Sequence, residues 1–568
     1  MNRREFLQIL AVAAASGMAI DSKKALAGDL DMYNLPRFGN VSLMHMTDCH
    51  AQLLPIYFRE PNVNIGIGGA SGKPPHLVGE HLLRHYGIKP GTREAHAFTY
   101  IDFVQAARTY GKVGGFAHLK TLVDRVRASR PGSLLLDGGD TWQGSATSLW
   151  TNAQDMVDAC IALGVNVMTA HWEMTFGAER VMEIVNNDFK KADIDFVAQN
   201  VITADFGDQV FKPYVVKNIN GVNVAIIGQA FPYTPIANPR HFVPDWSFGI
   251  QDENMQKWVN DARAKGAQVV VVLSHNGMDV DIKMASRVTG IDAIFGGHTH
   301  DGVPQPVQVK NAKGTTLVTN AGSNGKFLGV MDFDVRNGKI AGWKYKLLPI
   351  FSNLLPEDAK MAALIRNVRA PYESKLNEKL AVTEDFLYRR GNFNGTFDQV
   401  ILDALMKVKG ADVAFSPGFR WGTSLLPGDI ITMDRVMDQT AITYPATTLN
   451  NMTGETIKTI LEDVCDNLFN VDPYYQQGGD MVRVGGIQYT VNPNARIGNR
   501  ISNMMLNGKP VSPTKTYKVA GWASVGENVT GTPIWEVVAE YLRDIKTIKP
   551  VKLNLPKIVG LGKNPGLA

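Results

Sequence analysis

Four separate apolar runs in this 568-residue chain each run out into a carboxylate or an imidazole. Residues 41–47 lead into Asp48-Cys49-His50. Residues 133–136 lead through Asp137-Gly138-Gly139 into Asp140. Residues 267–273 lead to His275, and residues 291–295 lead through two glycines into His298-Thr299-His300. Short apolar runs bounded by glycine and polar turns read as buried strands. In open α/β sheets, ligand-binding groups collect outside the carboxyl ends of such strands. The pattern therefore predicts an α/β fold in which ligands far apart in sequence meet at one sheet edge. Asp48 and His50, two apart on an extended chain, project to the same side.

The residue types point to hydrolysis. Attack by water on a tetrahedral phosphorus or sulfur centre needs hydroxide near neutral pH and something to absorb charge on the substrate oxygens. Two cations about 3.5–4 Å apart supply both. They need a bridging carboxylate, for which Asp140 is the natural choice, flanked by imidazoles and further oxygen ligands. Five of the twelve histidines stand at the polar ends of these runs or in a fifth segment, Ala170-His171-Trp172-Glu173.

The order Asp-x-His, Gly-Asp, an Asn-His-Glu-like segment, His, then Gly-His-x-His resembles the metallophosphoesterase superfamily. It is similar above all to the 5′-nucleotidase branch, in which a C-terminal substrate domain follows the metal domain. The resemblance implies a metallophosphoesterase-type α/β sandwich with a C-terminal α+β 5′-nucleotidase-like substrate domain. Nucleotidases carry Gly-Asn-His-Glu-Phe-Asp in the third segment, with the Asn as metal ligand and the His paired to the Asp. Matching the histidines sets Ala170 at the Asn and Met174 at the Asp. The missing ligand is then lost or supplied by Asn200, which is either a ligand or a turn cap. Glu173 is the candidate to orient His171.

The His-Trp-Glu variant, with Thr47-Asp48-Cys49-His50-Ala51-Gln52-Leu53, is similar to the SoxB thiosulfohydrolases of bacterial sulfur oxidation. That resemblance implies a periplasmic enzyme with two manganese ions, zinc or iron being alternatives. Its substrate is a thiosulfonate on the C-terminal cysteine arm of a SoxYZ-like carrier. Asp48, His50, Asp140 and His300 would hold one metal, and Asp140, Asn200, His275 and His298 the other. His171 and Glu173 would be catalytic, His171 as a proton or hydrogen-bond donor to developing charge; the alternative for His171 is a buried structural histidine. Trp172 and Arg420 would contact substrate, Arg420 through a fork that matches sulfonate oxygens or, alternatively, as an interdomain ion pair. Two other readings share the ligands: a periplasmic 5′-nucleotidase or cyclic phosphodiesterase, and a silent metal-binding partner.

The N-terminus, Asn2-Arg3-Arg4-Glu5-Phe6-Leu7-Gln8 before an apolar stretch and Ala25-Leu26-Ala27, reads as a twin-arginine export signal over residues 1–27. That stretch is too short to span a bilayer comfortably, so a soluble periplasmic protein is expected, without membrane insertion. Of the formal charge of +4, residues 1–27 contribute +2 (Arg3, Arg4, Lys23, Lys24 against Glu5, Asp21), leaving +2. No nucleic-acid partner is indicated, and a monomer is expected. Cys49, Cys160 and Cys465 lack zinc-finger or Cys-x-x-Cys spacing, so disulfides are not expected to organise the fold.

The metal domain is expected over 40–350, a linker helix over 356–379 and the substrate domain over 381–555. The interval between His50 and Gly114, rich in Gly, Pro and His, is either a wall beside the metals or a surface excursion. In the C-terminal part, Thr443-Tyr444-Pro445-Ala446-Thr447 replaces the family's Pro-Phe-x-Asn stretch, so a nucleobase clamp is not evident. The stretch Tyr474-Tyr475-Gln476-Gln477-Gly478-Gly479-Asp480 is a candidate cleft lining.

Overall fold

In the computed structural model, which describes residues 30–568, the apolar runs become the inner strands of two six-stranded sheets. In one, Val41–Met46, Leu134–Asp137, Val167–Met168 and Asp195–Phe196 lie parallel, with antiparallel Phe327–Arg336 and Lys339–Pro349 beyond Val41–Met46. In the other, Val222–Gln229, Val269–Ser274, Ala293–Gly296 and Gly314–Asn320 lie parallel between antiparallel edges Tyr214–Ile219 and Val307–Asn311. Parallel strands are buried on both faces, which accounts for their unbroken runs of Val, Ile and Leu. Ala225, Ile227, Val270, Val272, Ile294 and Val318 pack against Met255, Val259, Met278 and Met284 of the covering helices Asp252–Ala264 and Met278–Arg287. Val269, Val271 and Leu273, on the opposite face, are equally buried. Helix Phe116–Ser129 buries Leu119, Leu122, Val123 and Val126, the three-and-four spacing of an amphipathic helix.

Within residues 356–379 the chain forms helical pieces Ala359–Arg369 and Glu373–Leu376 joined by a tight turn. Asp358 caps Ala359–Arg369 by accepting from Met361 N (2.8 Å), and Pro371 lies in the tight turn before Glu373–Leu376. The first piece packs on helices Phe116–Ser129 and Gln154–Leu163. The C-terminal part holds a sheet ordered Thr447–Thr453, Thr516–Trp522, Val413–Ser416, Arg483–Gly485. Helices Thr396–Lys409 and Ile534–Ile545 contribute Phe397, Leu405, Val538 and Leu542 to the core shared with Ala414 and Trp522. Residues 38–568 form one compact unit. The leader expected over residues 1–27 lies outside the described residues. No helix among the described residues is long and apolar enough to cross a membrane. The three cysteines are free and buried.

The long interval after His50 is a strap across both halves. It contains helices Gly79–Tyr86, Arg93–Phe98 and Phe103–Tyr110. Ile65 and Ile67 lie in the same buried cluster as Phe393, Phe415, Leu461 and Val484. The Ile65 amide donates to Asn392 Oδ1 (2.7 Å), and the C-terminal tail closes over the strap through Asn64 N to Gly566 O (2.7 Å). Ile65→Ala should therefore lower stability by about 2–4 kcal/mol, read as a fall in the denaturant midpoint, with faster proteolysis of the strap.

Candidate metal centre

Five inner strands, three from one sheet and two from the other, hand over polar groups at their carboxyl ends. Asp48 and His50 follow Val41–Met46, Asp140 follows Leu134–Asp137, His171 follows Val167–Met168, His275 follows Val269–Ser274, and His298 and His300 follow Ala293–Gly296. All seven side chains are buried. They form two groups sharing Asp140: Asp48, His50, Asp140 and His300, and Asp140, His171, His275 and His298. In each, one ligand atom per residue lies within 4.8 Å of the others.

The backbone at these positions is bent against its preference. Asp48 (φ 52°), His50 (46°), Asp140 (57°), His298 (70°) and His300 (58°) all occupy the left-handed region. Such positions in non-glycine residues cost of order 1–3 kcal/mol each and persist where the surroundings over-determine them. Hydrogen bonds hold these turns. The His298 amide donates to both Asp48 oxygens (3.0 and 3.1 Å), the Trp172 amide to Asp140 Oδ1 (2.8 Å), and Thr47 Oγ1 to Asp48 Oδ2 (2.6 Å). A Cβ at position 297 would fall 2.5 Å from Thr47 Oγ1 and 3.0 Å from His275 Nδ1, so the approach to the histidine pair requires Gly297.

The imidazoles are set for coordination. His50 Nδ1 donates to Gln143 O (3.2 Å) and His275 Nδ1 to Gly138 O (2.6 Å), since a carbonyl can only accept. Their Nε2 atoms therefore face inward: His50 Nε2 is 3.1 Å from His300 Nε2, and His275 Nε2 is 2.9 Å from Asp140 Oδ2. A backbone partner that fixes the tautomer of an inward-facing imidazole is the usual support of a metal ligand. Burial, with His171 beside His298 and His50 beside His300, keeps His298 and His300 well below the usual imidazole range and hence neutral. Burial lifts Asp48 to about 6, and it opposes charge on His275 too, although Asp140 and Asp48 outweigh it and hold that ring near 10. Burial likewise opposes charge on Asp140, but His171 and His275 hold it well below the carboxylate range. Two buried carboxylates, five convergent imidazoles and a His171 Nε2 without a hydrogen-bond partner among the described residues fit a pair of divalent cations with mixed oxygen and nitrogen ligands.

Three sequence expectations need correction. Asn200 is not brought to the cluster. Its Oδ1 accepts from Ala230 N (2.8 Å) and its Nδ2 donates to Ala230 O (2.8 Å) and Gly249 O (3.1 Å), so the amide is spent bracing a loop. Glu173 does not act on His171's ring. Its carboxylate accepts from four backbone amides, those of Asp140 (3.1 Å), Thr141 (2.7 Å), Trp142 (3.2 Å) and His171 (2.8 Å), and is wholly buried. His171 is not beside the metal group but inside it, with Nδ1 3.2 Å from Asp140 Oδ1. The glutamate sets the register. Matching it to the Glu of Asn-His-Glu puts His171 at the asparagine position, Trp172 at the histidine and Thr175 at the aspartate. The spacing of His-Trp-Glu against His-Glu is the signal, and matching on histidine misses it.

Above the seven candidate ligands lies a cleft of about 350 Å³. Trp172 meets Phe419 (5.3 Å, 88°) and Trp421 (5.2 Å, 79°) edge-on and stacks on Tyr444 at 6.3 Å. Arg420 lines this cleft, but its Nε lies 3.4 Å from Asp480 Oδ1, so its ion pair is within the C-terminal half rather than across the halves. Gln477, Gly478 and Gly479 line the cleft too. Tyr474 and Tyr475 do not: Tyr474 donates to Asp252 Oδ1 and Tyr475 is exposed.

Residues 41–302 match the Calcineurin-like phosphoesterase family and residues 379–537 the 5′-nucleotidase, C-terminal domain family. The chain is 24% identical over 471 residues to UshA of Yersinia enterocolitica, covering 72% of this chain and 80% of that one. It is 23% identical over 502 residues to rat 5′-nucleotidase, covering 77% and 84%. Among solved structures it resembles the sulfate thiohydrolase SoxB of Thermus thermophilus in complex with glycerol (36% identity, TM-score 0.87, 93% of this chain and 98% of that one). A 5′-nucleotidase precursor, also from Thermus thermophilus, shares the fold (21%, TM-score 0.71, 91% and 99%). The chain belongs to the 5′-nucleotidase family of metallophosphoesterases, hydrolases with a C-terminal nucleotidase domain.

Two predictions separate the corrected assignments. His171→Ala should lose one of two bound metal equivalents by elemental analysis, while Asn200→Ala keeps both and loses about 2 kcal/mol of stability. Glu173→Gln places an amide NH₂ against backbone donors. It should lower stability by about 3 kcal/mol in denaturant unfolding and release metal with it, whereas a residue acting only in catalysis would leave both unchanged.

Proposed function

We propose that this chain hydrolyses the terminal sulfonate from a cysteine S-thiosulfonate carried on a partner protein. The observation that carries this reading is Trp172. It stands where the family pattern has a histidine, and its indole cannot serve as an acid at neutral pH. A nucleoside alkoxide is a basic leaving group and gains from a proton donor. A persulfide anion is far less basic and departs without one. The reaction balances accordingly: water adds its oxygen to the sulfonate sulfur, the sulfur–sulfur bond breaks, its electron pair stays on the carrier as persulfide, sulfate is released and two protons go to solvent. The likeness to the Thermus SoxB structure across nearly the whole chain supports the same reading.

Asp48, His50, Asp140 and His300 would hold one cation, and Asp140, His171, His275 and His298 the other; we propose manganese for both. When bound, such a pair makes water acidic enough to attack near neutral pH and neutralises charge on the substrate oxygens. The chain's own groups do the rest. Asp140, anchored by the Trp172 amide, keeps the two ligand sets in register. Arg420 faces the cleft as a cation for the sulfonate oxygens, and Trp172, Phe419 and Trp421 wall the arm of the carrier from water. On this reading the carrier is SoxYZ-like, and the reaction belongs in the periplasm, reached by the leader expected over residues 1–27.

Nucleotide hydrolysis is the second reading, favoured by the 5′-nucleotidase relatives. Incubating the manganese-loaded chain with a protein bearing cysteine S-thiosulfonate should release one sulfate per carrier and reduce carrier mass by one SO₃, with negligible AMP turnover. Fast AMP hydrolysis without sulfate would establish a nucleotidase instead. Trp172→Ala should cut kcat/KM for the thiosulfonate by about tenfold, the loss of roughly 1.4 kcal/mol of aromatic contact.

A further inference from the structure

We propose that Arg390 is a positioning residue for the metal centre, holding the His298–His300 turn from the C-terminal half of the chain. The inference rests on the two-metal reading above and extends it to a residue that touches no ligand side chain. Arg390 Nη2 donates to Thr299 O and His300 O, both at 3.1 Å. Those carbonyls belong to the turn in which His298 and His300 both have positive φ. A guanidinium with two hydrogens on one nitrogen matches two successive carbonyls that such a turn directs to the same side.

The energetics of Arg390 itself favour a positioning role. The residue is 6% exposed, and its Nε has no acceptor among the described residues. The nearby carboxylates of Asp301 and Asp480 balance its charge, while the hydrogen bonds of the guanidinium go to carbonyls of the turn rather than to those carboxylates. What the arrangement does secure is the left-handed turn, whose natural relaxation would swing both imidazoles away. The neighbouring grips are lighter. Arg420 Nη1 reaches His298 O at 3.4 Å, and the strap's Asn64 Nδ2 reaches Asp301 Oδ1 at 3.2 Å. Each comes from outside the sheet that carries the turn, so the metal ligands on Ala293–Gly296 are held in place by the C-terminal half and the strap. Groups that orient ligands without binding metal typically set metal affinity by 10–100-fold.

The test is manganese affinity by chelator competition on the full chain, unmodified and as Arg390→Gln and Arg390→Lys, with thermal unfolding of the chelator-treated proteins alongside. Arg390→Gln should weaken manganese binding about 10–100-fold, and Arg390→Lys, which keeps the charge and one carbonyl contact, should fall between. Variants that unfold earlier yet bind manganese like the unmodified chain would overturn the proposal, because a purely stabilising residue would behave that way. If Arg390→Gln does not fold, Arg390→Lys alone decides by the same criterion. Failure of the unmodified chain to bind manganese would count against the two-metal reading rather than against Arg390.

Discussion

The carboxylate of Asp140 is the contact through which the two halves of the metal group are joined. It is held from behind by the Trp172 amide, lies 3.2 Å from His171 and 2.9 Å from His275, and sits in a left-handed turn that Glu173 ties down through the Asp140 amide. Burial opposes its charge, and the imidazoles around it restore the balance. A group so placed is stable only in a site that gathers positive charge, whether from protonated histidine or from cations. The proposed reaction uses the second.

Much of this is legible in the chain itself. The apolar runs ending in Asp48, Asp140, His275 and His298 declare both the parallel strands and the edge at which they deliver ligands, because burial on two faces and a polar exit leave few other interpretations. The third segment is misread by one residue when histidine is matched to histidine. Histidine is a metal ligand in some positions and a hydrogen-bonding group in others, so that match carries no information about role. Glu173, whose buried carboxylate accepts from four backbone amides, carries it. Asn200 fails for a related reason: an asparagine after a strand is equally suited to brace a loop, and only tertiary contacts with Ala230 and Gly249 decide.

The strap and the C-terminal half are legible in outline alone. Composition marks residues 51–114 as unusual without showing that Ile65 enters the C-terminal core or that Asn64 pairs with both the tail and Asp301. These are long-range contacts with no local periodicity. They matter because the strained His298–His300 turn is gripped from that side, which makes the integrity of the ligand set a property of the whole unit rather than of one sandwich. Trp172 shows the same coupling from the other direction: it follows His171 of the candidate metal group yet is buried in the core that holds Phe397 and Trp421.

Everything proposed for this site depends on which side chains hold the cations. Anomalous scattering from crystals of the manganese-loaded protein would answer this. Two peaks about 3.5–4 Å apart are expected, bridged by Asp140, with His171 bound to one of them and Asn200 still bonded to Ala230 and Gly249. A single peak, or a second metal bound by Asn200 with His171 turned away, would contradict that assignment.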